Sequence, residues 1–450
     1  MTEPLRVSVI GTGYLGTTHA AGMAELGHQV TGMDVDADKV AHLAAGRVPF
    51  FEPGLQELLR RGLDSGRLSF TTSYAEVAAK ADIHFLCVGT PQQYGNDAAD
   101  LSYVDAAMRS LAAELTSPCL VVGKSTVPAG TAGRLASRLS DEAPAGDQAT
   151  LAWNPEFLRE GYAVRDTLQP DRLVFGVTSQ SSEQQLRAVY AKVIADNCPV
   201  VVTDLATAEL VKVAANSFLA TKISFINAMA EICEVTGADV STLAEALGHD
   251  SRIGPRFLKA GLGFGGGCLP KDIRAFMARA EELGVVQAVA FLREVDAINL
   301  RRRARMIDLA VEELSGRVDG KRIGVWGASF KPDSDDIRDS PALDVASALQ
   351  ARGADLCVYD PQAMDNARKK YPQLSYNASA AEAAHGADLI LHLTEWPEFQ
   401  TLSPESLDGV IRGKRIIDGR SALNPDRWRA AGWTFRALGR PGLSETGHVA

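Results

Sequence analysis

A short apolar strand that runs straight into a glycine turn and then an alanine-rich helix restricts a chain to very few folds. Leu5–Ile10 reads as a buried strand, Gly11-Thr12-Gly13-Tyr14-Leu15-Gly16 follows at once, and a helix continues to about Leu26, where Gly27 ends it. A second strand, His28–Met33, finishes at Asp34. Strand, GxGxxG, helix, strand and acid in that order predict a dinucleotide-binding Rossmann unit. Gly11 makes the tight turn, Gly13 lets main chain approach a pyrophosphate and Gly16 lets helix and strand pack closely, with Tyr14 and Leu15 on the same phosphate-facing turn. Asp34 can accept hydrogen bonds from ribose hydroxyls and would repel a 2′-phosphate, so NAD is expected rather than NADP.

The α/β alternation continues. Ile83–Val88 is another buried strand, closed by Gly89-Thr90-Pro91, and Leu120–Gly123 leads into Ser125-Thr126-Val127-Pro128-Ala129-Gly130-Thr131. Ligands of open α/β sheets lie beyond the carboxyl ends of the strands, which makes Thr90 and Thr126 candidate cofactor contacts; ordinary helix capping is the competing reading. After the strand Thr150–Trp153, Pro155 would open a helical turn that puts Glu156 and Glu160 on one face. Two carboxylates there suit a base and a ligand contact, or simply acids favoured by a helix dipole.

The middle of the chain reads as helical. Residues 207–236 contain neither Gly nor Pro and predict one long helix, on which Lys212 and Asn216 lie four apart. They suit an oxyanion-holding pair, or a snorkelling lysine beside a hydrogen-bonded amide. A second helical stretch, about 285–314, carries Arg301-Arg302-Arg303, expected to be a solvated or interface face.

Between the two helices stands Gly261-Leu262-Gly263-Phe264-Gly265-Gly266-Gly267-Cys268-Leu269-Pro270-Lys271-Asp272. Five glycines before a cysteine let main chain and thiol come close to a ligand, and a nearby ammonium would favour the nucleophilic thiolate. Pro270 favours a helix start with Lys271 and Asp272 in its first turn. A flexible loop with an incidental thiol is the bland alternative. Cys87, Cys119, Cys198, Cys233 and Cys357 are scattered, never in C-x-x-C spacing, and suggest neither zinc nor a disulfide framework.

The last third echoes the first. Arg322–Trp326 and Asp355–Tyr359 read as strands ending at Gly327 and Asp360, but the glycines equivalent to Gly13 and Gly16 are absent. A mononucleotide or sugar-nucleotide half-site is expected there rather than a second dinucleotide site, with Lys331 and Arg338 available to phosphates. Arg415–Asp418 reads as the final strand, leading into Gly419-Arg420, and the last ten or so residues as disordered. The fold expected is therefore α/β: two Rossmann-like doubly wound domains, 1–203 and 315–450, joined by a central helical domain, 204–314, that bears the cysteine loop and the dimer contacts. A net charge of −10 without a basic stripe argues against nucleic acid, and no basic-then-apolar leader or long apolar run argues for a membrane, so a cytoplasmic protein is expected.

Taken in order, the turn Gly11–Gly16, Gly89-Thr90-Pro91, Ser125-Thr126-Val127-Pro128, Asn154-Pro155-Glu156-Phe157-Leu158-Arg159-Glu160-Gly161, the Lys212/Asn216 helix, Gly263–Asp272 and Phe330-Lys331-Pro332 resemble the UDP-glucose/GDP-mannose dehydrogenase family, most closely its UDP-glucose-oxidising branch, over about residues 5–435. The family commonly has serine where this chain has Gly267. The resemblance implies NAD-linked oxidation of a primary alcohol through aldehyde to carboxylate, with Cys268 as nucleophile, Lys212 and Asn216 holding an oxyanion, and Asp272, Glu156 and Thr126 completing the catalytic set. It further implies that Asp34, Lys39, Thr90, Thr126, Glu160, Lys271 and Arg338 contact NAD. Glu156, Phe157, Leu158, Arg159, Glu160, Lys212, Asn216, Phe257, Leu258, Lys259, Ala260, Gly261, Gly265, Lys331 and Arg420 would contact the sugar nucleotide, UDP-glucose. Arg252 would reach a neighbouring subunit's site, making the enzyme a homodimer or higher oligomer. The same chemistry on GDP-mannose or a UDP-N-acetylhexosamine, a two-electron hydroxyacid-type dehydrogenase and a non-catalytic NAD-binding regulator are the alternatives.

Overall fold

The computed structural model describes residues 4–441; the expectation for the carboxyl-terminal tail falls mostly outside them. The chain divides into two compact units. One holds the residues up to Ala215 together with Arg274–Gly284, the other Asn216–Ile273 and the chain from Val285 onward.

The first unit is built on an eight-stranded sheet: β1 (Arg6–Ile10), β2 (Gln29–Met33), β3 (Leu68–Thr71), β4 (Ile83–Leu86), β5 (Cys119–Gly123), β6 (Ala149–Trp153), β7 (Leu173–Gly176) and β8 (Val200–Thr203). Their order is β3-β2-β1-β4-β5-β6-β7-β8, parallel except where β7 meets β6. Both faces are buried, which is why the strands read as continuous apolar runs. Val7, Val9, Phe85, Leu120 and Val122 pack on one side, and Ile10, Leu86 and Val121 on the other. The order reverses between β1 and β4, and a crevice at such a switch point is where a nucleotide binds.

The second unit repeats the plan. Strands β9 (Arg322–Trp326), β10 (Asp355–Tyr359), β11 (Ser375–Tyr376), β12 (Leu389–His392), β13 (Arg415–Asp418) and β14 (Thr434–Ala437) form an all-parallel sheet in the order β11-β10-β9-β12-β13-β14. The strand Arg415–Asp418 is thus not the last; β14 adds an edge of four residues, too short and too interrupted by Arg436 to show as a pattern. Gly11 N–H donates to Met33 O at 2.8 Å, and Gly327 N–H donates to Tyr359 O at 2.8 Å, so the two sheets share one turn geometry.

The long helix runs Leu205–Thr236 and the second Phe291–Glu313. Arg302 and Arg303 are buried, against the expectation of a solvated face: Arg302 pairs with Glu234 at 3.0 Å, and Arg303 with Asp339 at 2.8 Å and with Asp344. Only Arg301 of the three is exposed. Among the described residues no helix is long and apolar enough to cross a membrane.

Candidate active site

The first unit supplies a nucleotide-shaped turn. Gly11 has φ +87°, and a Cβ on Gly16 would run into the Gly11 carbonyl, so both positions demand glycine. Around Gly13 the space is open, with nothing within 4 Å of where a Cβ would sit. The Asp34 carboxylate accepts from Thr12 N–H at 2.8 Å, Thr12 Oγ1 at 3.1 Å and Lys39 Nζ at 2.9 Å, and from Asp36 N–H at 3.1 Å. Burial alone would raise its pKa, but the Lys39 ammonium and the two N–H groups outweigh burial and hold it below the usual aspartate value. An ionised acid beside an open glycine turn fits the adenosine half of NAD.

The duplicate turn in the second unit lacks that opening. Asp360 accepts there from Ala328 N–H, Ser329 N–H and Oγ and Trp396 Nε1 on one oxygen, and from Gln362 N–H and Ala363 N–H on the other. A carboxylate so fully committed has little left for a ribose.

Next to the first turn, Tyr14 donates to Glu52, whose carboxylate also accepts from Gly161 N–H at 2.6 Å and Ala163 N–H at 2.7 Å. Glu52 is buried, which raises its pKa, and it ties the glycine turn to the loop bearing Glu160. Nothing in the sequence around Glu52 signals this. Thr90 Oγ1 donates to the Thr126 main-chain carbonyl at 2.8 Å, stitching the β4 and β5 ends together, and the helices that follow are capped at Leu101 and Gly130 rather than at either threonine.

Pro155 does not open a helix: residues 154–160 are irregular, and the next helix is Ala163–Leu168. Glu156 and Glu160 therefore do not share a helical face. Glu156 instead accepts from Leu158 N–H at 2.6 Å and pairs with Lys212 at 2.8 Å, both side chains being largely buried. The Phe157 ring lies 5.7 Å from Lys212 Nζ and 3.8 Å from the Arg172 guanidinium. Arg159 is taken up by Asp166, to which its backbone N–H and Nε each donate at 2.9 Å. On the same long helix Glu209, another carboxylate without a sequence signal, accepts from Gly130 N–H and Ala132 N–H at the start of the helix Thr131–Glu142.

The second unit supplies the thiol. Cys268 is exposed, immediately before the helix Leu269–Glu282, and its carbonyl accepts from Asp272 N–H at 2.9 Å. Asp272 is buried; Asn216 Nδ2 donates to it at 2.6 Å and Lys271 Nζ lies 2.8 Å away.

Buried side chains anchor the loop before it. Gly261 N–H donates to Asn227 Oδ1 at 2.8 Å; Asn299 accepts from Phe264 N–H at 2.7 Å and donates to Phe264 O at 3.0 Å. Arg420 is partly buried; its guanidinium donates to three carbonyls, Leu393 at 2.7 Å, Gly263 at 2.9 Å and Phe330 at 3.0 Å, and lies 3.4 Å from the Glu395 carboxylate. At Gly267 a Cβ would strike the Arg338 guanidinium, so the glycine that replaces the family's serine is where that side chain rests. Gly265 abuts the Asp339 carbonyl.

The Leu258 and Ala260 side chains belong to a small core with Ile226, Ala230 and Val240. Phe257, at φ +65°, and Lys259 are exposed. Lys331 Nζ lies 5.6 Å from the Phe330 ring, and Arg252 is exposed and paired with Asp250 at 2.6 Å.

Three family models match the chain in order. They are the NAD binding domain of the UDP-glucose/GDP-mannose dehydrogenase family over residues 5–194, its central domain over 206–301 and its UDP binding domain over 324–425. A UDP-glucose 6-dehydrogenase of Rhizobium meliloti is 40% identical over 97% of this chain and 100% of its own length. One from Pseudomonas aeruginosa is also 40% identical, over 97% of this chain and 98% of its own. The solved UDP-glucose dehydrogenase of Pyrobaculum islandicum superposes with a TM-score of 0.90 at 39% identity, covering 98% of both chains.

Proposed function

The chain belongs to the UDP-glucose/GDP-mannose dehydrogenase family and is an NAD-dependent oxidoreductase acting on a nucleotide sugar, and from that premise we propose that it oxidises UDP-glucose to UDP-glucuronate in two successive steps at one thiol. The observation that carries this reading is the exposed Cys268 heading a helix whose first turn holds Asp272, to which Asn216 of the long helix donates. The choice of UDP-glucose rests on the relatives at about 40% identity that carry that activity in their names.

Gly11, Gly13 and Gly16 with Asp34 would hold NAD, which, when bound, takes up a hydride in each oxidation. Asp272, with Lys212 and a water, takes the proton of the C6 hydroxyl in the first. The Cys268 thiolate then adds to the aldehyde carbon, forming a C–S bond, and Lys212 and Asn216 stabilise the alkoxide that results. This addition is needed because a bare aldehyde has no alkoxide carbon from which a second hydride could leave. Oxidation there leaves a thioester. Water activated by Glu156 or Asp272 cleaves the C–S bond, giving the carboxylate and returning the thiol.

The acting species is a homodimer or larger in this reading, working in the cytoplasm, where a reactive thiol stays reduced. The test is the NADH yield per molecule of limiting UDP-glucose. Two are expected; one, or preferential turnover of GDP-mannose or a UDP-N-acetylhexosamine over UDP-glucose in a panel, overturns the assignment.

A further inference from the structure

Lys124, directly after β5, is a buried ammonium that the mechanism above does not use. Its Nζ donates to Asn154 Oδ1 at 2.9 Å, Asn154 O at 3.4 Å and Tyr190 Oη at 3.3 Å. Tyr190 Oη donates in turn to Asn154 Oδ1 at 2.7 Å, and Asn154 Nδ2 to Val174 O at 2.9 Å. Lys124 N–H donates to Leu86 O and Asn154 N–H to Gly123 O. Among the described residues no carboxylate forms an ion pair with Lys124. The Phe85 and Tyr190 rings each lie 5.9 Å from Nζ, but a buried cation whose hydrogen bonds all go to neutral oxygens disfavours folding relative to an apolar side chain of the same length, so packing alone does not account for it.

Its location does. Lys124 immediately precedes Ser125 and Thr126, and Asn154 is two residues before Glu156. We propose that Lys124, through Asn154 and Tyr190, is a positioning residue that locks the β5 loop carrying Thr126 to the β6 loop carrying Glu156, and that this lock works only while the ammonium is charged. The proposal rests on the dehydrogenase reading given above.

Burial lowers the Lys124 pKa to about 8, with Glu156 and Cys87 raising it and Lys212 lowering it. The other titratable groups around it ionise elsewhere: burial pushes Cys87 up to about 12, raises Tyr190 and holds His19 well below the ordinary histidine value. Loss of the Lys124 proton should therefore weaken turnover above about pH 8. Ionisation of a nucleophilic thiol moves turnover the opposite way.

The experiment is kcat and KM from pH ~6.5 to ~10, with thermal melts, for wild type, Lys124→Met, Lys124→Arg and Tyr190→Phe. Wild type is expected to show an alkaline fall in kcat. Lys124→Met is expected to lose roughly tenfold or more in kcat, to lack that fall, to bind NAD as before and to melt no lower than wild type. Lys124→Arg, charged throughout, should move the fall upward, and Tyr190→Phe, which removes an acceptor of the ammonium, should move it downward. The proposal is overturned if Lys124→Met turns over like wild type or keeps the same alkaline fall. Should that variant not fold, an unmoved fall in both other variants overturns it. Wild type that makes no NADH from UDP-glucose would instead sink the dehydrogenase reading.

Discussion

Asn216 donates to Asp272 at 2.6 Å, one turn into the helix that Cys268 precedes. The carboxylate is thereby oriented by an amide on another helix, with Lys271 on its second oxygen at 2.8 Å. Asp272→Asn keeps the shape and removes the base. A fall in kcat of roughly 10²-fold or more, with KM for both substrates changed much less, is expected in steady-state NADH formation. Unchanged kcat would take Asp272 out of proton transfer.

Cys268→Ser leaves the helix start intact and replaces a nucleophile that ionises with one that does not. Four-electron turnover should disappear while NAD still binds with wild-type affinity, read by titration calorimetry and by NADH yield. In wild type, mass spectrometry of the quenched enzyme should find the sugar nucleotide attached to that sulfur. Accumulation of aldehyde from wild type, with no adduct, would remove the thiol from the reaction.

Asp34 is held ionised by Lys39 and two backbone N–H groups, so it presents a full negative charge to whatever occupies the turn. Asp34→Asn should raise KM for NAD by about tenfold, the worth of one charge-assisted hydrogen bond at ~1.4 kcal/mol. Its penalty against NADP should shrink at the same time. Equal KM for NAD in both proteins would mean the ribose is held elsewhere.

Phe218, Phe225 and Ile232 are exposed on the long helix at intervals of two turns, an apolar stripe that a lone chain leaves in water. A stripe of this kind is expected to pack against its symmetry mate. Phe225→Glu should shift the protein to monomer in size-exclusion chromatography with light scattering. Turnover should fall with it if Arg252 serves the partner's site. A wild type that is already monomeric sinks this prediction.

The turn Gly11–Gly16, the paired sheets and the helix start after Cys268 were legible because each is written locally, in glycine spacing, strand hydrophobicity or a proline. Glu156 was not. Its carboxylate caps Leu158 N–H and pairs with Lys212, giving the chain after Pro155 a non-helical alternative that spacing cannot reveal. The arginine run misled for a related reason: the partner that lets Arg302 be buried, Glu234, is 68 residues away. Glu52, Glu209 and Lys124 act through contacts 111, 79 and 30 residues away in sequence, and no composition or period marks them.

The last prediction concerns the support behind the thiol loop. Asp418 Oδ1 takes the His392 imidazole at 2.8 Å and Arg420 N–H at 2.9 Å, while Oδ2 takes Ala422 N–H and Leu423 N–H at 2.8 Å each. It thus shapes the turn from which Arg420 reaches the Gly263 carbonyl. Burial would raise the Asp418 carboxyl, but His392 and these N–H groups outweigh burial and hold it below the ordinary value. A folded-state pKa below the unfolded one means stabilisation that is complete above the unfolded value of about 3.9 and is lost as pH falls through the folded value. Asp418→Asn would turn an NH₂ toward backbone N–H donors and should cost ~3 kcal/mol near neutral pH. In urea melts that difference should hold down to about pH 5 and shrink below it. Because Arg420 then loses its anchor, kcat should fall while NAD affinity, set in the first unit, stays. A variant that is destabilised but turns over normally would mean the Arg420 turn does not govern the thiol loop.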